Sequence, residues 1–93
     1  MLLQLESKHL KIVNSILKMY PYQFYAYGSR AKNTSRTLSD LDICYKDSIP
    51  DFLAFLIEEE FKESDLPFKV DFVSWNRMNP SFQKLIEKDL IRI

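Results

Sequence analysis

The sequence predicts one α+β domain over residues 1–93, a small mixed β-sheet with helices packed on it. Three observations lead there. Short runs of aromatic and β-branched residues read as strands. Longer runs carry apolar residues at helical spacing, with prolines and a glycine at the changeovers. The helical runs fall between the strands, so connections cross over the sheet.

The first helix is expected from about Leu5 to Tyr20, with Leu5, Ile12, Val13, Ile16, Leu17 and Tyr20 at helical spacing and Pro21 as its stop. Gln23 to Tyr27 reads as a short aromatic strand ending at Gly28. Ser29 to Asn33 is expected to form a short helix whose first amides face that strand end. Leu41 to Tyr45 is the second strand; alternation turns Leu41, Ile43 and Tyr45 one way and Asp42 and Cys44 the other. Pro50 opens a helix with Phe52, Leu53, Leu56, Ile57 and Phe61. Lys69 to Ser74 is the third strand, with Val70 and Phe72 on one face and Lys69, Asp71 and Val73 on the other. Asn79 and Pro80 resemble a cap and first helical position, followed by Phe82, Leu85, Ile86 and Leu90. Leu90 to Ile93 fits either a helix end or a short fourth strand.

Composition narrows the function classes. Thirteen basic residues balance thirteen acidic ones, which gives no general electrostatic reason for a nucleic acid or an anionic membrane as partner. Cys44 and His9 are each the sole residue of their type, which removes disulfide frameworks and His/Cys metal sets and leaves little room for a Ser-His triad. No secretory signal and no stretch of membrane-span length is read, so a cytoplasmic protein is expected. A chain of 93 residues buries a modest share of its surface, which makes a stabilising partner plausible.

The informative stretch is GSRAKNTSRTLSDLD, residues 28–42. Gly28 is the chain's single glycine, and ten residues separate Ser29 from Asp40. Glycine lets a backbone amide approach a phosphate with no Cβ in the way, and the serine adds a hydroxyl donor. On a strand, positions i and i+2 share a face, so Asp40 and Asp42 can share one hard cation such as Mg²⁺. A third acid, Asp71, stands among apolar residues in FKVDFV. A charge there is costly unless paired, solvated or bound to metal. Should its strand neighbour Asp40-Leu41-Asp42, three carboxylates converge. With a Gly-Ser phosphate cradle they suit two-metal phosphoryl or nucleotidyl transfer.

These residues resemble the minimal nucleotidyltransferases of the DNA polymerase β-like superfamily. The shared pattern is Gly28-Ser29, Asp40-Leu41-Asp42 and the later strand acid Asp71, with Arg30-Ala31-Lys32 and Ser39-Asp40-Leu41-Asp42-Ile43 close to the family's usual wording. One departure is Asn33, where the family often has glycine; asparagine tolerates the positive φ such a turn needs. The resemblance implies a nucleotidyltransferase (polymerase β palm-like) fold and catalytic acids Asp40, Asp42 and Asp71. These would hold Mg²⁺, two ions in all, with Asp71 helping to activate the attacking hydroxyl. Gly28, Ser29 and Arg30 would bind the nucleotide. Members of this size resemble the antitoxin half of a two-gene pair whose partner is a small all-helical HEPN-type toxin. The activity this implies is transfer of AMP from ATP to a tyrosine of that partner, within a hetero-oligomer.

Each residue also has a plainer reading. An Asp-x-Asp pair alone would be a solvated turn; Gly28, Ser29 and Asp71 tip it towards a metal site. Ser29 can cap a helix and still meet a phosphate. Arg30, Lys32 and Arg36, taken singly, suit a solvated surface. His9 reads as an exposed helix residue. Tyr20, Tyr22, Phe24, Tyr25 and Tyr27 read as core and sheet packing, and Trp75 suits either packing or a partner anchor. Two other functions compete with protein modification. A binding module would neutralise its partner by occupying it. A small-molecule transferase would need an acceptor domain for which the chain has no room.

Overall fold

A computed structural model describes residues 3–36 and 38–93. Helix α1 (Ser7–Leu17) is followed by strands β1 (Phe24–Tyr27) and β2 (Leu41–Tyr45), helix α2 (Asp51–Lys62), strand β3 (Val70–Ser74), helix α3 (Pro80–Ile86) and strand β4 (Ile91–Arg92). Single 3₁₀ turns at Trp75–Arg77 and Glu87–Asp89 flank α3. The four strands form one mixed sheet in the order β3-β2-β1-β4. β1 runs antiparallel to β2 and β4, whereas β2 and β3 are parallel. A parallel pair needs a crossover, and α2 supplies it.

The sheet's two faces are unequal. Phe24, Ala26, Leu41, Ile43, Tyr45 and Phe72 face α1 and α2, where Val13, Ile16, Leu17, Ile57 and Phe61 complete the main core. Burying side chains of this size contributes about 1.5–3 kcal/mol each, and most of the fold's apolar burial lies on this side. The opposite face is covered in part by Ile86, which packs with Tyr27 and Cys44, with Tyr25, Trp75, Met78 and Leu90 around them. The Lys46 ammonium lies over the rings of Tyr25 and Trp75, 5.4 and 4.8 Å from their centres.

Local chemistry explains the element ends. The Asn79 side chain accepts from the Ser81 N–H at 2.8 Å, and Pro80 occupies the first helical position of α3, as the sequence suggests. α1 is shorter than its apolar pattern, although Leu5 and Tyr20 still pack on the core from outside it. The Tyr20 hydroxyl donates to Glu60, tying the end of the α1 segment to α2.

Two expectations are corrected, and one open alternative is decided. Ser29 to Asn33 forms turns and no helix, because Gly28 (φ 77°) and Asn33 (φ 62°) both lie in the left-handed region and break helical continuity. His9 is not exposed: its side chain is 14 % accessible, and its ring meets Phe68 edge-on. The C-terminal residues form a strand, held by pairing of Tyr25 with Arg92 and Ala26 with Ile91.

Candidate active site

Three strands bring the key residues together. Tyr27 lies opposite Asp42 in the antiparallel ladder, and Asp42 lies opposite Asp71 in the parallel one. Gly28 follows β1 directly, so β1, β2 and β3 set the glycine turn, Asp42 and Asp71 side by side. Alternation that buries Leu41 and Ile43 in the main core turns Asp42 to the less covered face.

Gly28 is required twice over. Its φ of 77° is disfavoured for residues with a Cβ, and a Cβ placed there would overlap the Asp42 carboxylate. Beyond it the chain folds into a tight turn. The amides of Ala31 and Lys32 each donate to the Gly28 carbonyl at 3.1 Å, and the Thr34 amide donates to the Ser29 carbonyl at 2.9 Å. Among the described residues the Ser29 hydroxyl makes no hydrogen bond within the chain, which leaves it available to a ligand.

Arg30 corrects a sequence expectation. Its place in the motif suggests a phosphate contact, yet its side chain is buried. Nε and Nη2 donate to the Ser39 carbonyl at 3.1 and 2.9 Å, and Nη1 donates to the Gln4 carbonyl at 2.9 Å. The guanidinium also lies 4.2 Å from the centre of the Phe68 ring. A guanidinium committed to two carbonyls and a ring acts as a brace. It joins the two ends of the loop between Ser29 and Asp40 and fastens them to the N-terminal segment. Gln4 adds to the brace, accepting from the Ser35 amide through its side chain at 2.9 Å.

The electrostatics centre on Asp42. Burial first, then the Asp71 and Asp40 carboxylates, push its pKa from 3.8 up to about 6. The Lys69 ammonium, itself exposed, pairs with the Asp71 carboxylate at 3.5 Å. Burial, followed by Asp42, Cys44 and Asp71, pushes the neighbouring Tyr27 hydroxyl up to about 12. Tyr27 walls the site, its ring edge-on to Phe82 at 6.0 Å. Sequence reading assigns Tyr27 to packing and does not single out Phe82 for the site; the signal available was parity, since Tyr27 shares the face of Asp42.

Convergence of the acids is therefore partial. Asp42 and Asp71 are adjacent, and Asp40 lies just ahead of β2, close enough to act on Asp42. Among the described residues no set of three or more His, Cys, Asp or Glu side chains stands in a ligating arrangement. The donor chemistry nevertheless fits a hard divalent cation: the groups are carboxylates only, and their mutual repulsion is what such an ion neutralises.

Known proteins resemble this chain along most of its length. A family model described as polymerase beta, nucleotidyltransferase matches residues 11–93. A probable protein adenylyltransferase, MntA, of Haemophilus influenzae is 39% identical over 90 residues, covering 92% of this chain and 79% of the relative. A putative protein adenylyltransferase of Methanocaldococcus jannaschii is 39% identical over 88 residues, covering 92% of this chain and 88% of the relative. A second from that organism is 44% identical over 69 residues, covering 72% of this chain and 70% of the relative.

Proposed function

The chain belongs to the polymerase beta nucleotidyltransferase family, and on that premise we propose that it transfers AMP from ATP to a tyrosine of a protein partner. The partner in this reading is a small helical HEPN-type toxin, and the chain is its antitoxin, working within a hetero-oligomer. One observation carries the reading: Asp42 and Asp71 stand in register on parallel strands, with the Gly28 turn against Asp42. Three relatives that carry the name protein adenylyltransferase support the choice of a protein acceptor.

Each residue has a role in that reaction. The Gly28-Ser29 turn receives the triphosphate, through backbone amides that a Cβ would block and through the Ser29 hydroxyl. Asp40, Asp42 and Asp71 would hold Mg²⁺, two ions when loaded, which neutralise the triphosphate and make the attacking hydroxyl more acidic. A phenol has a pKa near ~10 and attacks poorly at neutral pH. In this reading Asp71 takes its proton. The phenolic oxygen bonds to the α-phosphorus, the bond from that phosphorus to the α,β-bridging oxygen breaks, and pyrophosphate leaves. The proton passes to the Asp71 carboxylate and then to water.

Incubation with Mg²⁺, ATP and the purified product of the adjacent gene tests this by intact mass. The partner should gain AMP on tyrosine. Asp71→Asn keeps the residue's size, removes its charge and should abolish transfer while the partner still binds. A partner whose mass stays unchanged with each NTP, yet whose toxicity is still suppressed, would mean neutralisation by binding alone.

A further inference from the structure

We propose that the protein acceptor docks as an added strand on the free edge of β3, in the groove between that edge, α2 and the start of α3. The proposal rests on the reading above and deepens it by fixing the side of the site from which the acceptor arrives.

In-line displacement sets the direction. The attacking and leaving oxygens lie on opposite sides of the transferred phosphorus. Pyrophosphate leaves on the side of the Gly28-Ser29 turn, at the end of β1. The strand order β3-β2-β1 then places the incoming hydroxyl on the β3 side. There the sheet ends, since β3 pairs only with β2 among the described residues.

The edge is open for pairing. The Leu41 amide donates to the Lys69 carbonyl at 2.9 Å, which fixes the parity of the ladder. The backbone polar groups of Lys69, Asp71 and Val73 turn towards β2, and those of Val70, Phe72 and Ser74 turn outward. An extended segment can take these outward groups as a new strand, and alternate side chains then lie on the same face as Asp71. A tyrosine at such a position comes to the catalytic face beside the carboxylate that receives its proton.

The groove beside this edge gives the acceptor its chemistry. It has a volume of about 520 Å³, and Tyr27, Phe55, Glu58, Ser74, Met78 and Phe82 are among its lining residues. Tyr27 lines the groove and lies across the ladder from Asp42, so the groove opens beside the carboxylate pair. Phe55 and Phe82 are exposed, more so than single-domain packing requires of rings this size. On the acidic wall, Asp51 is paired with Arg77 at 3.1 Å, while Glu58 makes no ion pair among the described residues. The occupant is therefore an extended, apolar segment bearing the acceptor tyrosine, with a basic residue set opposite Glu58.

The test follows amide exchange in the ¹⁵N-labelled chain with and without the adjacent gene's product. The amides of Val70, Phe72 and Ser74 should exchange readily in the free chain and slow at least tenfold in the complex. Ser74→Pro removes one outward N–H at a φ of −79°, which proline accepts, and Phe55→Ser removes an exposed ring. Both folded variants should raise the KM for the acceptor at least tenfold and leave ATP affinity within twofold. Unprotected β3 amides in a formed complex would overturn the proposal, whether or not AMP is transferred. Protection that grows with concentration of the free chain would also overturn it, in favour of a second copy on the edge. Protection without transfer would uphold the docking site and remove the catalytic reading instead.

Discussion

Replacing Asp42 by asparagine should make the metal-free protein more stable while destroying its activity. Burial and two neighbouring carboxylates hold the Asp42 pKa at about 6 against 3.8. The folded value lies above the unfolded one, so the native state binds the proton more tightly. Stability is then greatest below about pH 4 and falls as pH rises through about 6. The gap corresponds to about 3 kcal/mol at ~1.4 kcal/mol per pKa unit. Because the carboxylate is partly exposed, solvent screening reduces this to roughly 1–2 kcal/mol. For a domain of this size that is a rise in Tm of roughly 5–10 °C. Thermal unfolding in chelator should show Asp42→Asn above wild type at pH 8, with the two converging near pH 4. Added Mg²⁺ should raise the wild type and leave the variant unmoved. A variant no more stable than wild type at pH 8, or one equally favoured at pH 4, would refute the assignment of repulsion at this pair.

Two further substitutions separate the parts of the site. Gly28→Val places a side chain against the Asp42 carboxylate at a φ of 77°, and should cost roughly 1–3 kcal/mol and weaken ATP binding at least tenfold by calorimetry. Arg30→Met leaves the Ser39 and Gln4 carbonyls without their donor, and should lower stability by about 2–4 kcal/mol in denaturant melts. If Arg30→Lys instead lost ATP affinity with an unchanged melting curve, the brace would give way to a phosphate contact.

Much of this arrangement was legible before the structure, and the reasons differ by residue. β2 follows its alternation, with Leu41, Ile43 and Tyr45 in the main core and Cys44 in the cluster on the opposite face. Asp71 stands out because a carboxylate among Val70, Phe72 and Val73 needs a reason to be there. Its neighbour across the ladder was expected from the motif as a whole: pairing of Asp42 with Asp71 depends on the order of strands, which no local pattern encodes. The C-terminal residues stayed open between helix end and strand, since Ile91 and Arg92 are extended only because β1 offers an edge. Arg30 misled because a charge in a motif looks the same whether it reaches a ligand or two carbonyls of its own loop. The absent helix after Gly28 shows local conformation prevailing, with two left-handed residues close together.

The brace at Arg30 gives the interval from Ser29 to Asp40 a fixed length. One end of that loop holds the guanidinium and the other the Ser39 carbonyl that it grips, and Asn33 turns the chain back between them. Side chains exposed along this span, such as Lys32, are free to drift over generations. Its residue count is not: one insertion would move Ser39 off the guanidinium or push Asp40 and Asp42 out of step with β3. The spacing that identifies the motif in the sequence is thus a mechanical gauge, and lineages should tolerate substitution within it far more readily than a change in length.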